Sequence, residues 1–350
     1  MAERDEKLSL VSNDSTDGQR SMKFCAKFYR VLKSTVGALL ALLCAVLFAC
    51  ASVFTALAIE NRIPPLQLSF ISSLAPLLTV ILPVIYYKVE LIPDNATDLG
   101  LLVLNGIGRA LGCIGIVYSF AFVRIGNATT IFAATTPMFS GVGAVIFLHE
   151  SLQFMDVAGF LFNVGGTILI TRPTFIFGDA AVDHSGDEDY TLDATNSHMV
   201  AGYLLVAGGS LGYSVVYVVT RGLGDRVSLL TKLLYADVIS TFISLLITYI
   251  FEEPIWRMNP TVVGYIFGMS LSVTFGEWSR FGSVQFIRTA VATLLADFEV
   301  VPAYLLQYTC MSLTPIAFDL IGAAAVIIGA CLIYAKTWFD SWNMDSEIPQ

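Results

Sequence analysis

Two carboxylates inside an apolar stretch are the first residues of this sequence that could do chemistry. Asp297 and Glu299 lie in the segment TLLADFEVVPAYLL, residues 293–306, and no other charge occurs between residues 289 and 313. If this segment crosses a lipid bilayer, insertion of each charge costs about 2.5–3.5 kcal/mol. Acidic residues retained at that cost typically bind a solute, carry a proton or pair with a neighbouring helix.

Three further ionisable residues, Arg109, Glu277 and Arg280, lie deep in other apolar segments, and Lys232 and Asp237 are candidates of second rank. Arginine offers a planar fork that matches a carboxylate or a phosphate, so two inward-facing arginines favour an organic anion. The carboxylates could instead bind a proton and couple its movement to transport. Glu277 and Arg280 are three residues apart and can pair on one helix face, which is a purely structural role.

The spacing of Asp297 and Glu299 raises a geometric problem. Two residues correspond to about 200° around an α-helix, so both side chains cannot face one cavity unless the helix is broken. Pro302 removes the backbone hydrogen bond to the carbonyl four residues earlier and is the predicted cause of such a break. We expect one carboxylate to face a central cavity and the other to brace a neighbouring helix, with Arg109 as a candidate partner. The alternative is that all three charged residues only hold helices together.

The composition identifies the elements that must position these residues. Hydrophobic residues make up 56% of the chain and charged residues 13%, against about 25% charged residues in a soluble domain. Apolar stretches of about 20 residues, each long enough to cross about 30 Å of hydrocarbon, recur along the chain. We predict an all-α polytopic membrane protein with ten transmembrane helices, at residues 35–59, 66–87, 99–123, 126–148, 154–171, 200–220, 229–251, 261–287, 289–312 and 315–335.

Sequence matches between the two halves predict an internal repeat. The segments DVAGFLFNVGGTILI, from Asp156, and DLIGAAAVIIGACLI, from Asp319, share glycines at an offset of 163 residues. Span three matches span eight at an offset of 164, and span one matches span six at 165. Because each half has five spans, the second half must insert in the opposite sense, which is the inverted repeat of many transporters. The predicted organisation is a disordered cytoplasmic tail at 1–34, a first five-helix repeat at 35–172 and an acidic loop at 173–199. A second five-helix repeat follows at 200–336 and a cytoplasmic tail at 337–350.

Charge and cysteine placement narrow the function classes. Nine lysines and arginines near the spans fall on the side of the amino terminus and four on the other, which favours two cytoplasmic termini. Five of the six cysteines lie inside predicted spans and the three histidines are scattered, so neither a disulfide framework nor a metal site is expected. No histidine lies deep in a span, which disfavours an enzyme. No cofactor and no nucleic-acid partner are expected, and plasma membrane and endomembranes both stay open.

The segment from Arg124 to Pro173 resembles the EamA domain of the drug/metabolite transporter superfamily. The likeness includes an alanine-rich helix start, the mid-helix Pro137 and a leucine-x-glutamate close at Glu150. The second copy is similar through Pro302, but its close, CMSLTP, lacks the glutamate. The segment EVVPAYLLQ further resembles the G-type branch of solute carrier family 35. The resemblance implies a transporter in two five-helix repeats, and the family-like position of Glu299 favours this residue for the cavity.

Prolines and glycines inside the spans predict how the helices meet. Pro137 and Pro302 are the predicted kink positions, because broken helices often line transporter sites, although neighbouring helices can also satisfy the freed carbonyls without any function. Glycines one heptad apart, Gly159 with Gly166 and their copies in span ten, indicate close helix packing. In the resembled family, helices five and ten can meet across a dimer. Here packing within one chain is favoured, and a homodimer stays open.

Together these observations predict a multi-pass transporter that lies in a lipid bilayer and moves a small organic solute by alternating access. Coupling to protons and exchange are both compatible with the carboxylates. A small organic anion is the first choice of substrate. The alternatives are a nucleotide-sugar antiporter of the endomembrane system and a membrane scaffold that transports nothing.

Overall fold

The computed structural model describes residues 2–343 except 121, 124, 151–152, 172–175, 177–195 and 311–316, and the described residues form helices joined by short links. Two 3₁₀ turns, Gly224–Arg226 and Asp297–Glu299, interrupt the helical order. The helices are α1 (Ala2–Glu60), α2 (Pro65–Tyr86), α3 (Ala96–Ser119), α4 (Ile125–Leu148), α5 (Phe154–Thr171), α6 (Asn196–Leu223), α7 (Leu229–Phe251), α8 (Pro260–Phe286), α9 (Thr289–Ala296), α10 (Val300–Cys310) and α11 (Ala317–Asn343).

Eight of the described helical segments are long and apolar enough to cross a membrane. The segment Phe154–Ile170 of α5 is apolar but shorter, and α8, which carries Glu277, Arg280 and four serines, is not among the eight. The chain is therefore an all-α polytopic membrane protein, and ten crossings in two inverted repeats stay a prediction. Helix α1 begins at Ala2, and the division of the chain into two tails, two repeats and an acidic loop stays a prediction.

The helices of the two halves pack in equivalent pairs. The long helix α1 packs along α8, and α6 packs along α3. At the first contact a Cβ on Gly37 would lie 2.8 Å from the Phe286 side chain, and at the second a Cβ on Gly202 would lie 2.9 Å from the Phe122 side chain. Gly37 matches Gly202 at the offset of 165 residues, and Phe122 matches Phe286 at the offset of 164, so both pairs belong to the predicted repeat. The close approach explains why both helix pairs need glycine at that point.

Helices α5 and α11 pack against each other through glycine. A Cβ added at Gly166 would lie 2.6 Å from the carbonyl oxygen of Gly322, and a Cβ at Gly322 would lie equally close to the Gly166 carbonyl. The predicted packing of these helices within one chain is confirmed. The homodimer stays a prediction.

The helix break expected near Pro302 is present. Helix α9 ends at Ala296, the residues Asp297–Glu299 form a 3₁₀ turn, and α10 begins at Val300. The missing N–H of the proline explains why regular α-helical bonding stops at this level. Helix α4, by contrast, runs through Pro137 without interruption. Only one of the two predicted kink positions therefore coincides with an end of regular α-helix.

Candidate functional site

Four buried ionisable residues meet between α3, α7 and α8, and we call them the ionic cluster: Arg109, Asp237, Glu277 and Arg280. Their exposed fractions are 2%, 1%, 1% and 3%. With two guanidiniums and two carboxylates the cluster is formally neutral, as burial in a low-dielectric interior requires. Three of these residues are predicted site residues, and the structure brings them together.

Glu277 is the centre of the ionic cluster. One carboxylate oxygen, Oε1, accepts a hydrogen bond from Nη1 of Arg109, and the other, Oε2, accepts one from Nη2 of Arg280. The local pair of Glu277 and Arg280, three residues apart, forms as the spacing predicts. The same carboxylate also joins α8 to α3, which belongs to the other half of the chain.

Asp237, on α7, is the second counter-ion of Arg109. Its Oδ1 lies 3.0 Å from the Arg109 Nε atom, but neither atom makes an aligned hydrogen bond. Asp237 is one of the two candidates of second rank in the sequence. Its position is set by the packing of α7 against α3, which the spacing of charges along the chain does not encode.

Aromatic rings from two helices, α1 and α6, surround the Arg280 guanidinium. Its central carbon lies 4.7 Å from the ring centroid of Tyr213, 5.6 Å from that of Tyr217 and 5.8 Å from that of Phe48. Such rings attract a cation through their quadrupoles and hold the planar group in place without neutralising it. The Nε atom of Arg280 is buried and has no hydrogen-bond partner.

Asp297 and Glu299 form the acidic turn, the 3₁₀ turn between α9 and α10. Glu299 Oε1 accepts a hydrogen bond from Ser52 Oγ on α1 at 2.9 Å, whereas Asp297 Oδ2 is buried without a partner. The expected contact of this turn with Arg109 is not formed, because that arginine is held by Asp237 and Glu277. The geometric reason is that α3 packs against α7 and α6, while the acidic turn packs against α1.

The acidic turn and Arg280 nevertheless border the same region. The thiol of Cys44 on α1 lies within electrostatic range of both Arg280 and Glu299, and the phenol of Tyr217 on α6 lies within range of both Arg280 and Asp297. The guanidinium of Arg280 and the carboxylates of the acidic turn therefore act on the same two side chains, one on α1 and one on α6.

Lys232 has a local role instead. Its ammonium group donates to the carbonyl oxygens of Thr220 and Gly224, at the carboxyl end of α6, where a cation complements the helix dipole. Sequence reasoning missed Asn105 and Thr241, whose buried side-chain atoms have no hydrogen-bond partner. They lie one helical turn from Arg109 and from Asp237, and this spacing of four residues is the signal that could have found them.

A second set of ion pairs, which we call the terminal clamp, ties the ends of several helices: Glu150, Asp156, Arg221 and Arg288. Glu150 Oε1 accepts from Nε of Arg221 at 3.1 Å, and its Oε2 accepts from the N–H of Thr289, the first residue of α9. Arg288 binds both carboxylate oxygens of Asp156 at 3.0 Å. The clamp joins the α4–α5 link to α6 and to the α8–α9 junction.

In the part of the chain that the structure describes, no group of three or more histidine, cysteine, aspartate or glutamate side chains is placed to hold a metal ion. The polar groups at the centre are arginines, carboxylates, hydroxyls and amides. Arginines and carboxylates are the residue types that pair with charged solutes or carry protons inside a membrane protein.

The chain is similar to known transport proteins. Residues 35–172 match the model of the EamA-like transporter family. The chain is 24% identical to mouse solute carrier family 35 member G1, over 87% of this chain and 79% of that protein, and 23% identical to the human member over 87% and 80%. A probable transport protein of Saccharomyces cerevisiae is 25% identical over 53% of this chain and 54% of its own length. A protein of known crystal structure has the same fold, with a TM-score of 0.68 at 17% identity over 87% of this chain and 97% of that one.

Proposed function

We infer that this chain moves a small organic solute by alternating access. The premise is that it is an EamA-type membrane transporter of the drug/metabolite transporter superfamily, of the solute carrier 35 type. The observation that carries this proposal is the ionic cluster, in which helices of both halves share buried, exchangeable charges. A membrane scaffold needs no such cluster, and buried ion pairs are weak stabilisers compared with apolar packing of the same volume.

Equivalent packing of the two halves supports alternating access. The contact of α1 with α8 and that of α6 with α3 use matched glycines, as expected for two repeats that insert in opposite senses around a central site. The terminal clamp lies at one end of this arrangement and joins elements of both halves. We propose that it closes the cytoplasmic end, since the distribution of lysine and arginine favours two cytoplasmic termini.

An organic anion is the proposed substrate class. Arg280 is the candidate ligand for its carboxylate or phosphate, because its guanidinium is oriented by aromatic rings and keeps an unused Nε donor. The acidic turn is the proposed proton site. Asp297 and Glu299 have no cationic partner among the described residues, so an anion that enters beside them is repelled unless protons neutralise the turn. Movement of the anion together with protons follows from this charge balance.

The test is solute uptake by proteoliposomes that contain the purified protein. The probes are labelled succinate, inorganic phosphate, UDP-glucose, glycine and tetraethylammonium, each with and without an inward proton gradient. We expect uptake of an anionic probe that the gradient stimulates and that Arg280→Gln abolishes. The matched control is Arg257→Gln, which removes an exposed arginine of the α7–α8 link. Selective uptake of UDP-glucose would identify the nucleotide-sugar alternative, and uptake of tetraethylammonium alone would contradict the anion proposal.

A further inference from the structure

The two arginines of the ionic cluster differ in the number of their counter-ions. Arg109 contacts two carboxylates, those of Asp237 and Glu277, whereas Arg280 contacts only Glu277 among the described residues. If Glu277 turned away from both, Arg109 would retain Asp237 at 3.0 Å. Arg280 would be a buried cation without a counter-ion, which is costly in a low-dielectric interior.

The two contacts of Glu277 are made by different oxygen atoms. Oε1 faces Arg109 and Oε2 faces Arg280. A small rotation of the carboxylate can therefore release one arginine while the other bond is kept. Because Arg109 comes from α3 and Arg280 comes from α8 itself, the bond to Arg109 also holds the two helices together.

The surroundings of Arg280 fit a cation whose counter-ion changes. Phe48, Tyr213 and Tyr217 hold the guanidinium in place by ring contacts that do not depend on Glu277. The Nε donor is buried and unpartnered, although a buried donor without a partner costs about 1–3 kcal/mol. An arriving carboxylate or phosphate oxygen would satisfy this donor.

We propose that Glu277 is an internal substitute for the anionic group of the substrate. In the solute-free protein its Oε2 neutralises Arg280. When an anion arrives, it takes over Arg280 through the unused donor, and Glu277 stays on Arg109. This inference rests on the proposed function and assigns Glu277 as the residue that sets the affinity for the anion. The anion must displace the Glu277 carboxylate from Arg280, so its binding is weakened by that competition. The recognised group of the substrate is consequently a single carboxylate or phosphate at Arg280, not one shared between both arginines.

Glu277→Gln tests the inference, because the amide preserves the shape of the side chain and removes the competing charge. For the anionic probe that wild type takes up, succinate or inorganic phosphate, we expect KM to fall roughly tenfold, the change expected when one charge-assisted hydrogen bond no longer competes. Maximal uptake should fall as well, because the anion is released more slowly. The KM for a probe that has no anionic group, such as tetraethylammonium, should not fall if wild type takes it up.

Asp237→Asn is the matched control, because it removes one negative charge from the same cluster but leaves Glu277 on Arg280. It should not lower KM by a comparable factor. Glu277→Asp is the second variant if Glu277→Gln does not fold: it keeps the charge, and its shorter side chain cannot reach both arginines, so KM should again fall.

The outcomes separate this inference from the proposed function. If wild type takes up an anion and neither Glu277 variant lowers its KM, the substitute role is wrong and the anion transporter stands. If Asp237→Asn lowers KM as much as Glu277→Gln, net charge and not Glu277 sets the affinity, and the inference is also wrong. If wild type takes up no anion, both proposals fall.

Discussion

The carboxylate of Glu277, on α8, accepts a hydrogen bond from the guanidinium of Arg109, on α3, across 168 positions of the sequence. This contact joins the two halves of the chain at a buried point and makes both residues part of one neutral cluster. Its consequence for stability differs from its consequence for transport, and variants can separate the two.

Arg109→Ala should destabilise the protein rather than only inactivate it. The substitution leaves Asp237 and Glu277 with one remaining cation, and loss of one partner from a buried ion pair costs about 3–5 kcal/mol. We expect a lower midpoint of thermal unfolding in detergent than for wild type. Adding Asp237→Asn should recover part of the loss, because it removes the orphaned charge. Arg257→Ala is the exposed control, and an unchanged midpoint for Arg109→Ala would show that the cluster contributes little to folding.

Glu299→Gln should abolish the coupling of transport to protons and leave binding of the solute intact. The amide oxygen can still accept the hydrogen bond from Ser52, which wild type makes at 2.9 Å, but the side chain can no longer gain or lose a proton. We expect proteoliposomes with this variant to lose stimulation by a proton gradient and to retain solute exchange at equal pH. Asp297→Asn is the comparison at the neighbouring carboxylate. If only Asp297→Asn abolishes the stimulation, the proton site belongs to Asp297.

Glu150→Gln should open the end of the protein that the terminal clamp closes. The variant weakens the bonds to Arg221 and to the Thr289 N–H, each 3.1 Å long in wild type, and charge-assisted bonds of this kind contribute about 1.5–3 kcal/mol. With Cys44 as the sole cysteine, we expect labelling by an impermeant maleimide to be about tenfold faster. Glu253→Gln, in the exposed α7–α8 link, is the control. Equal rates in wild type and Glu150→Gln would contradict a gating role.

Gly166→Ala and Gly165→Ala form a matched pair on α5. A Cβ at Gly166 would lie 2.6 Å from the carbonyl oxygen of Gly322, whereas a Cβ at Gly165 meets nothing within 4 Å. Gly166→Ala should force α5 and α11 apart and lower the unfolding midpoint. Gly165→Ala should be neutral or raise it slightly, because alanine favours a helix over glycine by about 0.5–1 kcal/mol. Equal effects of the two variants would argue against close packing at this contact.

Glu252 provides a pH-dependent contribution to stability outside the membrane-spanning helices. Its carboxylate accepts from the N–H groups of Leu66, at 2.8 Å, and Gln67, at the start of α2. Burial raises the pKa of this carboxyl above its usual value, and the two N–H groups only partly oppose that change. Because the pKa of Glu252 is higher in the folded state, this residue contributes to the stability of the fold at a pH below the usual glutamate pKa. That contribution is lost as the pH rises through the raised pKa of the folded state.

Glu252→Gln should remove this dependence while keeping an oxygen acceptor for α2. We expect the unfolding midpoint of wild type to decline relative to that of the variant as the pH rises through this interval. The measurement is a thermal unfolding series in detergent. Parallel curves for the two proteins would show that Glu252 titrates alike in the folded and unfolded states.

Much of the architecture follows from local features of the sequence. Apolar length alone predicts membrane helices, because a bilayer forces the backbone to satisfy its own hydrogen bonds. The break between α9 and α10 follows from Pro302, which lacks an N–H wherever it is placed. Gly159 and Gly166, one heptad apart, indicate a close helix contact, and the structure places Gly166 against Gly322. The local pair of Glu277 and Arg280 follows from helical spacing.

The partners of the remaining charges depend on tertiary structure. The sequence alone identified five candidates, because lipid offers a charged side chain no partner. They are Arg109, Glu277, Arg280, Asp297 and Glu299. The sequence could not decide that Arg109 binds Asp237 and Glu277 and not the acidic turn, nor that Lys232 serves a helix end. These partners are determined by which helix faces meet. The packing of α3 against α7 depends on many weak apolar contacts between residues far apart in the chain, so the local spacing of charges does not predict it.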